Sequence, residues 1–341
     1  MVVGSSSSFA EQLFDGDAVR PVMSSNWEAD FRRDGFVIFE GALTAVASRA
    51  LSDEILQSEA SVAAFASGGS GRTSSMRGAG AIESCGPYAD ALLDAPLIQQ
   101  LLGRVFVGGR YEVCHTTFSA RPRGSAGGGL HQDFAFGPSP WCDPGTEKLY
   151  QSISLFVYPL GFKRGDCALT VVPRSCHISA FDLLAGPSLE DKLSQPQLLE
   201  RLSTRYGLQP QELELPPGSF LVCDNRTWHS VSHKPLESPQ PYRLFRNYVR
   251  APLLGPHGGC NRSFIARFVV STDVQVFKTA GSPPHQSTQP IPAKWLVGAS
   301  EHRTMLFARP AGLGRPGGDW GAPTDMRWQV ERAPKQSNPK L

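Results

Sequence analysis

The sequence predicts a mainly β domain of the sandwich or barrel kind, flanked by helices. Between residues 104 and 250, short segments rich in β-branched and aromatic residues recur, each bounded by Gly, Pro or Asp. These segments are RYEVCHTTFSA, YQSISLFVYPL, CALTVVP, GSFLVCD and YRLFRNYV. Before these segments, residues 44–66 carry Ala and Leu at helical spacing, which predicts a helix. Leu at helical spacing also predicts a helical insertion between strands at residues 181–209.

The limits of this domain follow from composition. The Gly-Ser run at residues 4–8 is too polar to order, which predicts a disordered tail over 1–15 and a domain over 16–255. Its first element is a helix carrying Trp27 and Phe31, ended by Gly35 and followed by the strand FVIF. Residues 256–341 are rich in Gly and Pro but contain RSFIARFVV, KWLV and TMLFA, so we expect an extension that packs on the same domain.

Bulk properties exclude several classes of function. The net charge of +2 over 341 residues is too small for a nucleic-acid-binding surface. No apolar run approaches the roughly 20 residues that span a bilayer, and the N-terminus is not a signal peptide. Seven scattered cysteines without a CxxC pair predict reduced, structural thiols. We expect a cytoplasmic protein; the C-terminal Pro339-Lys340-Leu341 gives a peroxisomal alternative, and the oligomeric state stays open.

The segment GGGLHQDFAF, at residues 127–136, predicts metal ligands. On a strand, His131 and Asp133 leave the same face while Gln132 points away. Two histidines and one carboxylate on one side of a metal suit a non-haem iron(II) oxygenase, so a distant second histidine is required. His229 follows the strand FLV and an Asp-Asn turn, where it can approach the first pair, whereas His233 precedes Lys-Pro and reads as loop.

A further candidate is Arg243, which begins the strand YRLFRNYV. An arginine aimed into a barrel needs an anionic partner, and its guanidinium matches a carboxylate. Arg246 lies three residues on, so the two face opposite sides of the strand and only one can point inward.

In order, FRRDGFVIFEGALT, HQD, GDCALTVVPRSCH, GSFLVCDNRTWHS and YRLFRNYV resemble motifs of one family over residues 27–252. It is the phytanoyl-CoA dioxygenase-like branch of the iron(II)- and 2-oxoglutarate-dependent oxygenases. The resemblance implies a double-stranded β-helix, which is a cupin-like jelly roll. It also implies Fe(II) bound by His131, Asp133 and His229, 2-oxoglutarate held by Arg243, and O2 as co-substrate. The expected reaction hydroxylates a small-molecule or lipid-derived substrate, releasing succinate and CO2.

The chain departs from this family at two places. The usual Pro-Gly-Ser-His is replaced by Pro-Arg-Ser-Cys-His, which favours a structural role for His177 over ligation. The interval from His229 to Arg243 is longer than usual, as an insertion in SHKPLESPQP would explain, and leaves the choice between Arg243 and Arg246 open.

Substrate and outcome are less constrained. The Gly- and Ser-rich residues 67–80, with Arg72 and Arg77, are either a mobile surface loop or a lid over an anionic substrate. Asp133 argues against halogenation, in which a small residue replaces the carboxylate, but desaturation and epoxidation share the same ligands. The alternative function is a non-catalytic or 2-oxoglutarate-independent cupin-like metal-binding protein.

Overall fold

The computed structural model describes residues 12–57, 76–77, 86–93, 95–105, 111–132, 153–178, 194–252 and 268–269. Within them the helices are α1 Gly16–Met23, α2 Trp27–Asp34, α3 Ala45–Gln57, α4 Pro87–Ala91, α5 Pro96–Val105 and α6 Gln195–Tyr206. The strands are β1 Phe36–Phe39, β2 Met76–Arg77, β3 Tyr111–Pro122, β4 Gly128–Gln132, β5 Ile153–Tyr158, β6 Leu169–Val171, β7 Gln211–Glu212, β8 Ser219–Asp224, β9 His229–Val231, β10 Tyr242–Pro252 and β11 Phe268–Val269.

The strands form two antiparallel sheets. One has the order β1-β8-β5-β10-β3-β2 and the other β11-β4-β9-β6-β7. From β3 to β10 the chain crosses repeatedly between them, so β3-β10-β5-β8 face β4-β9-β6-β7, eight strands as in a jelly roll. The predicted class, mainly β with flanking helices and a jelly-roll core, is confirmed.

The central strands β5 and β8 are buried along their whole length. Leu155 and Val157 pack on one face among the helices, in the outer core, whereas Phe156 and Tyr158 pack on the other face, in the inter-sheet core. This explains why YQSISLFVYPL and GSFLVCD read as continuous apolar runs rather than as alternating ones.

The predicted helix, turn and strand near the start of the domain are confirmed. Helix α2 buries Trp27 and Phe31 and ends at Gly35, whose φ of 86° lies in the left-handed region. A Cβ at this glycine would stand 2.3 Å from Oγ1 of Thr227, so the position excludes a side chain for steric reasons as well.

Helices cover both outer faces of the sandwich. Helices α1 to α5 contribute to the outer core against the six-stranded sheet. Helix α6, from the predicted insertion, packs Leu198 and Leu202 against Leu130 of the five-stranded sheet and against Trp228, just before β9. None of the helices in the described ranges is long and apolar enough to cross a membrane.

The domain limits can be compared with the structure only in part. Leu13 is buried and Phe14 bridges to Leu43, so packed chain already precedes residue 16. From the predicted extension, Phe268–Val269 pairs with β4. The segments KWLV and TMLFA lie outside the described residues, as does the loop at 67–80 except for Met76–Arg77, which pairs with β3.

Candidate metal centre

The two predicted histidine ligands meet across neighbouring strands. His131 on β4 and His229 on β9 are direct partners in the antiparallel register. Their ring centroids lie 4.3 Å apart at an interplanar angle of 51°. Histidines separated by 98 positions in the sequence are thus placed side by side, as two ligands of one metal ion require.

The glycines before His131 make this register possible. Between Gly128, which pairs with Val231, and His131, which pairs with His229, β4 holds one more residue than β9, which is a β-bulge. At Gly127 a Cβ would stand 2.5 Å from the carbonyl oxygen of Val231. The segment before His131 therefore needs glycine at residue 127, where it passes close to β9.

Both imidazoles have a defined tautomer. Nδ1 of His131 lies 2.7 Å from the carbonyl oxygen of Gly129, and Nδ1 of His229 lies 2.9 Å from that of Thr227. A carbonyl oxygen can only accept, so each Nδ1 carries the proton and each neutral ring has its lone pair on Nε2. Nε2 is therefore the atom that each histidine would offer to a metal ion.

The histidine pair lies at the inner face of the five-stranded sheet. His229 is 5% exposed and its ring stands 5.7 Å from that of Phe156 across the sandwich. The predicted carboxylate ligand, Asp133, lies outside the described residues, in which no group of three or more His, Cys, Asp or Glu could hold a metal. Its place beside the pair stays a prediction.

Gln132, between the two predicted ligands in sequence, points away from this face. Its side chain is buried, and Nε2 donates to the carbonyl oxygens of Arg226 and Ile178. His131 and Gln132 therefore face opposite sides of β4, as predicted. The Gln132 amide forms its hydrogen bonds on the side away from the histidine pair.

The predicted anion-binding arginine is also inside the fold. Arg243 is 2% exposed, and its guanidinium carbon lies 4.9 Å from the ring centre of Tyr158 and 5.5 Å from that of Phe162. Tyr158 belongs to the inter-sheet core, so Arg243 lies on the inner face of the six-stranded sheet, and the histidine pair lies on the inner face of the other sheet. Arg246, the alternative, is in register with Val157 of the outer core.

Arg243 and the histidine pair contact successive inward residues of β5. Phe156 contacts His229, and Tyr158, two residues further on the same face of β5, contacts Arg243. Two residues of strand advance by roughly 7 Å. A diacid lying along this face of β5 would have one end towards the histidines and the other towards the guanidinium.

Burial also changes the pKa of the Tyr158 phenol in this pocket. It raises the pKa of Tyr158 to about 12, against the opposing effect of the Arg243 charge. The phenol therefore stays neutral at physiological pH and adds no negative charge beside Arg243.

The long connection from His229 to Arg243 is held by a buried charge cluster. Lys234 is fully buried, and its Nζ lies 2.7 Å from Oδ1 of Asp166 and 2.9 Å from the hydroxyl of Ser238. The Ser238 hydroxyl also lies 2.8 Å from Oδ2 of Asp166. These contacts attach the loop SHKPLESPQP to Asp166.

The altered Pro-Arg-Ser-Cys-His turn is also structural. Arg174 takes a φ of 68°, and the hydroxyl of Ser175 accepts a hydrogen bond from the backbone N–H of Trp228. His177 is exposed, and its Nε2 donates to the carbonyl oxygen of Arg32, 2.9 Å away. This histidine ties the turn to α2 and lies apart from the histidine pair.

Sequence reasoning missed three residues of the pocket: Tyr158, Phe162 and Arg121, the register partner of Arg243. One signal was present for Arg121. On β3 the buried apolar residues Phe118 and Ala120 pack in the outer core, so Ser119 and Arg121 alternate to the inner face.

Comparison with known proteins gives likeness in shape alone. No protein-family model and no curated protein matches the chain. AviO1 from Streptomyces viridochromogenes Tue57 aligns at a TM-score of 0.47 and 16% identity, over 67% of this chain and 95% of that one. The non-heme alpha ketoglutarate dependent carbocyclase SnoK from nogalamycin biosynthesis aligns at 0.44 and 17%, over 72% and 86%. The epimerase SnoN, in complex with Fe3+, alpha ketoglutarate and nogalamycin RO, aligns at 0.44 and 16%, over 79% and 94%. Membership of the phytanoyl-CoA dioxygenase-like family stays a prediction.

Proposed function

We propose that this protein is an Fe(II)- and 2-oxoglutarate-dependent dioxygenase that hydroxylates an unactivated C–H bond of a small-molecule or lipid-derived substrate. One observation carries the proposal. Two inward histidines with lone pairs on Nε2 and a buried arginine on the facing sheet contact Phe156 and Tyr158, which are successive inward residues of β5. A metal with a chelating keto diacid would use both features, because the diacid has one end for the metal and a carboxylate for the guanidinium.

The two histidines and the buried arginine fit an iron ion with bound 2-oxoglutarate. His131 and His229 would bind Fe(II) through Nε2, and Asp133, which follows Gln132 in the sequence, would supply the carboxylate. Arg243 would pair with the far carboxylate of 2-oxoglutarate through its guanidinium fork. When bound, iron, 2-oxoglutarate and O2 together supply the oxidising power for C–H hydroxylation, with release of succinate and CO2.

The protein's own contribution is orientation and exclusion of water. The carbonyl oxygens of Gly129 and Thr227 hold each imidazole in its Nε2-binding tautomer. Phe156, Tyr158 and Phe162 surround the pocket with apolar rings, which strengthens the attraction between a buried guanidinium and a carboxylate.

Anaerobic titration tests this function. Wild-type protein with Fe(II) should develop a visible charge-transfer band on addition of 2-oxoglutarate, because the band requires a keto acid chelated to iron. With O2 and a panel of acyl thioesters, amino acids and alkaloid or terpenoid scaffolds, succinate should be released. His229→Ala and Asp133→Ala should each lower succinate release by at least about 100-fold, as loss of a metal ligand does.

His177→Ala is the matched control, since this histidine is exposed and bound to Arg32 rather than to the pair. It should retain the band. A wild-type protein that binds Fe(II) but shows no band would instead support a metal-binding protein that does not use 2-oxoglutarate.

A further inference from the structure

A second arginine stands beside Arg243. Arg121, near the end of β3, is its direct partner in the antiparallel register, so the two side chains leave the same face of the sheet. Arg121 is half-buried, and its Nη1 donates to the carbonyl oxygen of Ala126, 3.0 Å away. In the described part of the chain, no Asp or Glu forms an ion pair with Arg121.

This arrangement is unfavourable for the protein alone. Like charges directly opposite each other in an antiparallel pair destabilise it, and partial burial removes the water that would screen them. Burial, followed by the charge of Arg243, lowers the pKa of Arg121. Cys167 and Tyr158 oppose this shift, and Tyr158 also contacts Arg243.

We infer that Arg121 is a second cationic group for the far carboxylate of 2-oxoglutarate, completing with Arg243 a paired-arginine clamp. The inference rests on the proposed function and adds a positioning residue to its co-substrate site. A bound carboxylate between the two guanidiniums would turn their mutual repulsion into two attractions. Arg121 is on the strand beyond Arg243, on the side away from β5, and at the same level along the sheet. It would therefore contact the end of the co-substrate that Arg243 holds.

The inference predicts opposite effects on stability and on binding. Arg121→Met should leave the unfolding midpoint of the unliganded protein unchanged or raise it by up to about 3 °C, because the repulsion is removed. The same variant should bind 2-oxoglutarate at least about tenfold more weakly in anaerobic Fe(II) titrations, since a charge-assisted contact is lost. Arg121→Lys keeps the charge and should recover most of the affinity.

Two comparisons make the test specific. Arg49→Met removes an exposed arginine on α3 and should change neither quantity. 2-Oxobutyrate has the keto acid head but no far carboxylate, so Arg121→Met should leave its affinity unchanged.

A variant that loses thermal stability while it keeps wild-type affinity for 2-oxoglutarate would overturn the inference and make Arg121 structural. Equal weakening for 2-oxobutyrate would also overturn it, because the effect would then not concern the far carboxylate. Absence of 2-oxoglutarate binding by the wild-type protein would instead refute the proposed function itself.

Discussion

Lys234 is a buried charge on which the free energy of unfolding of this domain depends. Its ammonium is fully buried and depends on Asp166 and Ser238 for its contacts. Such a pair gives little net stability compared with an apolar pair, but removing one partner leaves the other charge buried without compensation. This ion pair is therefore one of the anchors of the loop before Arg243, beside the hydrogen bonds from Arg123 and Gln240.

We expect Lys234→Met to lower the free energy of unfolding by about 3–5 kcal/mol, because Asp166 is then buried without its partner. Urea denaturation measures this loss. The matched control is Lys163→Met, since Lys163 pairs with Glu214 at the surface, where side-chain exposures are 72% and 43%. That change should cost less than about 1 kcal/mol. Equal losses in the two variants would contradict the role given to the buried cluster.

At the scale of elements, β4 places the site. A bulge and a close approach to β9 bring His131 opposite His229, and this occurs at the start of β4, at Gly128 and at Gly127 just before it. The two glycines differ in one respect: a Cβ at Gly127 would contact the Val231 carbonyl oxygen, whereas a Cβ at Gly128 would meet nothing within 4 Å. The neighbouring positions thus form an internal control.

Gly127→Ala should destabilise the protein by about 1–3 kcal/mol, because backbone atoms must move to admit the methyl group. Gly128→Ala should be neutral or stabilising by less than about 1 kcal/mol, through reduced entropy of the unfolded chain. Thermal unfolding and iron content after anaerobic loading measure both effects, and only Gly127→Ala should reduce iron content. If the two alanines behave alike, the close approach to β9 is not what requires glycine.

At the scale of the whole molecule, titration of buried acids limits stability in alkali. Burial raises the pKa of Tyr158 from 10.0 to about 12 and that of Cys176 from 9.0 to about 12. Well below pH 9 both groups are neutral in the native and the unfolded state, so their contribution is then complete. Between pH 9 and pH 12 the unfolded chain releases these protons before the native protein does, and stability falls.

Tyr158→Phe should therefore flatten the decline in unfolding free energy between pH 10 and pH 12. The rise in pKa from 10.0 to about 12 corresponds to about 3 kcal/mol. Urea denaturation at pH 8, 10 and 11.5 measures it, and the two proteins should differ in slope across this range. Parallel pH profiles would show that the Tyr158 phenol does not titrate as its burial requires.

Features that depend on neighbouring residues could be predicted from the sequence, whereas features that depend on contacts between distant residues could not. Strands β5 and β8 could be predicted because their apolar runs are local, and so could Gly35, which ends a helix. The pairing of Arg121 with Arg243 depends on the register between β3 and β10, which no local pattern encodes. The buried Lys234 was unpredictable for the same reason, because its partner Asp166 lies 68 positions away and the lysine itself reads as a loop residue.

The anchors of the histidine pair belong to the main chain, and each lies two residues before its ring. No side-chain replacement can delete a peptide oxygen, so the protonation pattern of both rings is insulated from changes in the residues around them. The pocket could thus be reshaped for a different substrate while the same ring nitrogens remain available to the proposed metal.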